Sequence, residues 1–368
     1  MDSSVYFIDL RASYKENFIE KLGRLMETAG MSSVITPRDL VAVKLHFGEP
    51  GGTAFVRPVL VRKIVQVIKE KQGIPFLTDA NTLYIGKRSH APEHLVAAIQ
   101  NGFPYAVVEA PLVIADGLRG QSETAETVGG KHFQTVYIGA EIANADTLIS
   151  VAHFKGHDLS GFGGALKNIG MGCASRRGKL AQHATVAPKI KKKKCIGCGE
   201  CVVHCAVSAI TLIEGKAQIN SKTCVGCGQC IVVCPHEAPV VQWNSSMLIF
   251  QEKMVEYAAG VLRKKKNKVL CLNFLTDISP ACDCVPLSDA PIVKNIGVLA
   301  SLDPVALDQA SADLVNREPA LAGTCLETNC LAGADKFRGL YPEIDWQIQL
   351  DYAERMGLGT RAYRLEKI

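Results

Sequence analysis

The sequence predicts an α/β protein: a mostly parallel sheet body of βαβ units with a small inserted α+β domain. Three observations predict it. Short apolar runs alternate with segments of helical periodicity up to about position 151 and again after position 246. Between them lies a compact segment that holds eight of the fourteen cysteines within 40 positions. Hydrophobic residues at 48% and charged residues at 21% give an ordinary globular balance over 368 residues, enough for about two domains.

The elements follow in order. Residues 5–10 form a short apolar run, and 14–29 an amphipathic segment that Gly30 stops. Residues 40–45 read as a strand. In 58–71, Val59, Leu60, Ile64, Val65 and Ile68 fall at helical spacing, with Gly73 expected at the C-terminal cap. A strand at 74–78 and a helix at 92–100 come next, then strands at 107–113, 135–138 and 147–151. After the cysteine segment, 246–262 reads as a helix, 269–275 as a strand, and 303–316 as a helix opened by Asp303-Pro304. Asp303 and Asp308 read as cap and surface residues. The expected division is a body of residues 1–187 and 241–368 interrupted by a domain at 188–240. Loop-closure cost grows slowly with length, which makes such an insertion tolerable.

Composition excludes several classes. No run approaches the roughly 18–20 apolar residues of a membrane span. The start, MDSSVYFIDL, lacks a basic region leading into an apolar one, so no secretory signal is expected. The expectation is a cytoplasmic chain with no membrane partner, where clustered thiols point to metal and not to disulfides. A net charge of +5 is too small to argue for nucleic acid. Its placement is informative: residues 189–240 hold seven lysines against three glutamates, four of the lysines consecutive at 191–194. That run reads either as a solvated linker or as a dock for an acidic redox donor or acceptor protein.

The cysteine segment is an internal repeat, CIGCGECVVHC against CVGCGQCIVVC. Its spacings are Cys195-x2-Cys198-x2-Cys201-x3-Cys205 and Cys224-x2-Cys227-x2-Cys230-x3-Cys234. Two-residue spacings let three thiolates of one loop face one metal core while the fourth projects elsewhere. Gly197, Gly199, Gly226 and Gly228 let the loops wrap closely around the sulfurs. Two short runs around Gly215 suggest a hairpin between the halves. The segment resembles a bacterial-type ferredoxin with two [4Fe-4S] clusters, in which the fourth cysteine of each run serves the other cluster. That resemblance implies one cluster on Cys195, Cys198, Cys201 and Cys234, and another on Cys224, Cys227, Cys230 and Cys205. Ala206 departs from it, standing where proline usually follows. A pair of structural zinc sites is the alternative.

A second concentration of unusual residues is VAHFKGHDLSGFGGALKNIGMGCA at 151–174. It lacks the glycine spacing of a dinucleotide-binding turn, and Lys167 is followed by Asn168 and not by the Ser or Thr of a P-loop. An irregular ligand-binding loop is expected. Polar residues also follow the strands at 40–45 and 74–78. In a parallel sheet those ends share an edge, so one cleft is expected to gather Lys44, His46, Asp79, Asn81, His153, Lys155, His157 and Lys167. A structural role for any single histidine stays open. Cys271 reads as a small buried hydrophobe. Cys282-x-Cys284, between Pro280 and Pro286, could ligate metal or carry redox chemistry.

KLHFGE, TDANTLY, HFKGHDLSGFGGALKNIGMGCA, Cys282-Asp283-Cys284 and SLDPVA resemble the domain of unknown function 362 family, in particular its ferredoxin-containing branch of uncharacterised iron–sulfur centre proteins. The resemblance implies an anaerobic-type metabolism but no settled reaction. Gly161-Phe162-Gly163-Gly164-x-x-Lys167 is also similar to a segment of nickel-pincer lactate racemases. In that family a histidine precedes the glycines, the lysine holds the cofactor and a later histidine acts in catalysis. His157, Lys167 and His183 occupy that order and are catalytic candidates, while Gly163 and Gly164 are expected to let the backbone approach a ligand. His153 is a further catalytic candidate. Three functions compete: a redox enzyme whose ferredoxin-type module delivers single electrons to a small-molecule ligand or a further cofactor in the body; a non-catalytic electron-transfer or assembly component; and a metal-dependent isomerase related to the racemases. Nothing in the sequence names the substrate, the further cofactor or the oligomeric state.

Overall fold

The structure is a computed structural model that describes residues 2–84, 86–184, 187–242 and 246–368. Eight strands form one sheet in the order Tyr363–Lys367, Ser3–Asp9, Gly297–Ser301, Val269–Leu275, Thr147–His153, Leu40–Lys44, Ile74–Asp79 and Leu112–Ile114. Every pairing is parallel except the two made by Gly297–Ser301. The α/β class and the mostly parallel sheet are therefore as the sequence predicts.

Alternate residues of the strands enter opposite cores, the period-2 signature of a sheet covered on both faces. Val41, Val43, Ile149, Val151, Leu270 and Leu272 pack beneath the Phe18–Thr28 and Pro58–Glu70 helices. Ala42, Leu148, Cys271 and Leu275 pack on the other side with Ala258, Leu307 and Leu350 from the Met247–Lys264, Pro304–Arg317 and Gln347–Arg355 helices. Cys271 is thus a fully buried member of an apolar core.

Local chemistry sets the element ends. The first helix begins at Phe18 because Asn17 and Glu20 close a capping box, four residues after the apolar pattern starts. The Pro58–Glu70 helix ends through Gln72, whose φ of 61° takes the left-handed position expected of Gly73. Gly73 is instead needed for packing, since a Cβ there would crowd Ile68 and Val41. The expected strand at 107–113 divides: Pro104 opens a helical turn at Tyr105–Val108, and only Leu112–Ile114 joins the sheet. Thr135–Gly139 is a strand outside the main sheet, paired with the polar Glu123–Thr127. The glycine-rich stretch is more ordered than a loop: Lys155–His157 pairs with Gly161–Gly163, and Ala165–Gly170 is helical.

Asp308 is not a surface residue. It is fully buried and accepts the backbone N–H groups of Ala165 and Leu166, at 2.7 and 2.9 Å, and Asn273 Nδ2 at 2.7 Å. Asp303 does cap its helix, accepting from Val305 and Ala306.

Between the two parts of the main chain, Lys189–Ile190 pairs antiparallel with Pro239–Val240. Inside that ladder lie an Ile210–Ile213/Lys216–Ile219 hairpin and two short helices, Glu200–Val203 and Gln229–Val233. Lys191 to Lys194 are all exposed.

Candidate functional site

Strand order reverses between Leu40–Lys44 and Thr147–His153. The chain steps outward from the first of these to Ile74–Asp79 and Leu112–Ile114, then returns beside it and continues to Val269–Leu275. A crevice beyond the carboxyl ends of such strands is where open α/β sheets bind ligands. A cavity of about 450 Å³ lies there.

Lys44, His46, Asp79, Lys155, His157, Lys167 and His183 all line it. His153, Asn81, Gly163 and Gly164, expected in the same site, do not. Both ring nitrogens of His153 are engaged behind the wall, Nδ1 with Asp283 Oδ1 at 2.8 Å and Nε2 with the Thr276 carbonyl at 2.9 Å. Asn81 turns away to Asp116 Oδ1 and the Gly117 carbonyl. Gly163 leaves room for the Lys155 and Lys167 side chains, and Gly164 for Asp308.

The polar side of the cavity is a lattice of opposite charges. Lys44 Nζ sits 3.1 Å from Asp79 Oδ1 and 3.0 Å from Asn168 Oδ1. Arg88, which the sequence reading missed, donates to Glu49 at 2.7 Å and to the Tyr84 hydroxyl at 2.8 Å, and stands 3.5 Å from Asp79. Burial opposes ionisation of Asp79, yet Lys44 and its neighbours hold the carboxyl below its usual range. Lys155 approaches Asp283 at 3.4 Å, and Lys167 donates to the Cys282 sulfur at 3.3 Å. Lys179, also missed, donates to the Ala80 and Asn81 carbonyls, and burial lowers it to about 8. Five cationic side chains thus line the cavity, four of them already set against Asp79, Glu49, Asp283 and the Cys282 sulfur. Their N–H groups are the donors available to an anionic group of a ligand.

The other side is apolar: Leu83, Leu159, Met171 and Phe250. Phe250 lies between two imidazoles, stacked with His157 at 5.9 Å and tilted against His183 at 4.9 Å. Burial, then Lys167, holds His157 well below its ordinary value, and burial takes His183 down to about 3. His157 is therefore a neutral ring at neutral pH. Its Nδ1 meets the Ser160 hydroxyl at 2.9 Å and the Leu159 N–H at 3.2 Å, and its Nε2 stands 3.6 Å from Asp158. Phe250 and Met171 could not have been placed from sequence, because each reads there as an ordinary apolar residue.

The eight clustered cysteines are gathered in two groups. Cys195, Cys198, Cys201 and Cys234 surround one small cavity. Cys205, Cys224, Cys227 and Cys230 surround another. Each group takes three sulfurs from one repeat and the fourth from the other. Gly197, Gly199, Gly226 and Gly228 all have left-handed φ, between 68° and 84°. Backbone N–H groups of Ala217, Ala209 and Ala238 donate to the sulfurs of Cys195, Cys205 and Cys234 at 3.2–3.4 Å. Among the described residues, no three His, Cys, Asp or Glu side chains group as ligands of a single metal ion. A four-iron cluster is a multi-atom core that needs a space between its sulfurs. Two cavities, each lined by four cysteines among mostly apolar side chains and with N–H donors to three of the eight sulfurs, fit that requirement.

The second group abuts the ligand cavity. Leu83 lines that cavity and also packs with Leu180, Ala184 and Ile231, against which Cys230 rests. Arg176 bridges the same junction, donating to the Thr82 carbonyl and to Gln229 Oε1.

Residues 41–313 match the family described as Domain of unknown function (DUF362). The chain belongs to the DUF362 family. The matched span of this DUF362 protein includes both the ligand cavity and the cysteine segment. No curated protein matches it. Among solved structures, it is similar to the lactate racemase apoprotein from Thermoanaerobacterium thermosaccharolyticum, at 15% identity and a TM-score of 0.36, over 75% of this chain and 51% of that one. A structural-genomics protein from Thermotoga maritima is similar at 8% identity and a TM-score of 0.40, over 92% of this chain and 58% of that one. The DUF362 chain thus spans little more than half the length of either. Among its described residues no helix is long and apolar enough to cross a membrane.

Proposed function

We propose that this protein is an iron–sulfur redox enzyme of the ferredoxin-containing branch, acting on an anionic, ring-bearing small molecule. The observation that carries the reading is Leu83, which lines the ligand cavity and belongs to the apolar cluster, with Leu180, Ala184 and Ile231, against which Cys230 of the second cysteine group packs. Clusters held by the two cysteine groups would supply single electrons. The chain's own residues do the rest. Lys44, Lys155 and Lys167 bind and orient the anionic end, Phe250 supports a flat apolar part, and the neutral His157 ring stands beside the ligand to hold or move a proton. The 300–1,000 Å³ range of small-molecule sites includes the cavity observed.

A redox partner protein docks, in this reading, on residues 191–194. There four exposed lysines lead in sequence into the first cysteine run, whose Ile196, Cys198 and Val203 are also exposed. An acidic surface on the partner is the natural complement.

One observation favours a second reading, a metal-dependent isomerase: Lys167, His157 and His183 share one cavity. Anaerobic purification with iron, sulfide, nickel and flavin analysis separates the two. The redox reading expects about eight iron atoms per chain, and turnover of conjugated carboxylates only with a reductant present. Iron-free protein, or turnover indifferent to reduction in the presence of nickel, overturns it.

A further inference from the structure

We infer that Cys282 and Cys284 form a redox-active dithiol in the wall of the ligand cavity, cycling with an internal disulfide by exchange with a small-molecule disulfide. The pair's role does not require iron in the two cysteine groups. Both residues line the cavity, so a ligand that fills it meets their sulfurs. With one residue between them in sequence, the two cysteines face the same cavity, where Lys167 Nζ stands 3.3 Å from the Cys282 sulfur. Only Asp283 separates them in sequence, and that residue is fixed from behind by His153 at 2.8 Å and Lys155 at 3.4 Å. The loop is seated by Gly156, where any Cβ would collide with the Pro280 carbonyl.

The two sulfurs are not equivalent. Lys167 donates to Cys282 at 3.3 Å, and the Cys284 hydrogen bond and the lysine charges hold the Cys282 thiol well below its ordinary value. Cys284 is pushed up by the same bond and by burial. Cys282 is therefore the thiolate and Cys284 the thiol, the arrangement that thiol–disulfide exchange needs. The Cys282 thiolate attacks one sulfur of the small disulfide, forming a mixed disulfide and releasing the first thiolate. Cys284 then loses its proton and attacks the Cys282 sulfur, closing the internal disulfide and releasing the second. Two electrons pass from the protein to the small disulfide, and reduction by a dithiol reverses the step.

The peptide 269–294, bounded by Lys268 and Lys294, carries Cys271, Cys282 and Cys284 and no other cysteine. Anaerobic protein is equilibrated with graded ratios of reduced to oxidised glutathione, unfolded in acid, alkylated and digested. The expected result is loss of two alkyl groups together, as one two-electron step. Cys284→Ser should trap one glutathione on this peptide, and Cys282→Ser should trap none. In Lys167→Met, alkylation of Cys282 in the folded protein at neutral pH should slow about tenfold, the change that one pKa unit makes in thiolate fraction. Three alkyl groups at every ratio, or glutathione trapped equally in both serine variants, would overturn the assignment. Iron content, read in the same samples, reports separately on the cysteine groups.

Discussion

Asp308 accepts the backbone N–H of Ala165 at 2.7 Å from the interior of a helix 143 positions away, and so anchors the short helix that carries Lys167. Both carboxylate oxygens are used, and no water reaches them. Asp308→Ala leaves two buried backbone donors and Asn273 without this acceptor. It should destabilise the fold by about 2 kcal/mol or more, with Asp308→Asn intermediate because it restores one acceptor. Chemical denaturation of the three proteins checks the order.

The two cysteine groups make a test that adjacency in sequence would not suggest. Cys198→Ala and Cys234→Ala, 36 positions apart, should remove the same electron-paramagnetic signal and spare the other. Cys227→Ala should remove the complementary one. Each variant should retain about half the iron. Three different spectra in place of two classes would contradict the crossed arrangement.

Gly156→Ala tests the seating of the Cys282 loop. The added methyl meets the Pro280 carbonyl, a backbone atom that cannot rotate away. The expected cost is about 1–3 kcal/mol, accompanied by faster alkylation of Cys284 as the loop lifts. Unchanged melting and alkylation would mean that the strand shifts as a whole.

Acid should unfold the protein through its histidines. Burial holds His94 and His183 at about 3, and lowers His46 and His157 too, so the unfolded chain binds more protons between pH 3 and 6.5. Stability therefore rises with pH across that window. Asp308, raised by burial to about 6, opposes this by one proton, contributing stability that is present at low pH and lost as pH passes 6. His94→Leu should reduce the slope between pH 4 and 6 by about 1.4 kcal/mol per pH unit. Denaturation midpoints across that range measure it.

Lys167→Ala and His157→Ala should each abolish binding of carboxylate ligands while leaving iron content unchanged. Calorimetry with conjugated carboxylates, beside iron analysis, reads both quantities.

The sheet was legible because buried parallel strands are continuous apolar runs: 269–275 was read to the residue and 40–45 to within one. Glu123–Thr127 was not, since its alternation of Glu and Thr carries no apolar signal. The shared strand edge brings Lys44, Asp79 and Lys155 to one cavity, because a parallel sheet fixes where strand ends go. It could not say which side of the edge each side chain takes, and His153 and Asn81 point to buried partners instead. Arg88, Lys179 and Phe250 come from helices or turns whose approach depends on packing, which no local pattern encodes.

Leu83 is a party wall between two rooms. A bulkier residue there would crowd both at once, and a smaller one would thin the partition while enlarging the ligand's space. Natural variation at this position is therefore constrained from two directions, and any change should appear together with compensating changes at Ile231 or Leu180, which pack in the same cluster.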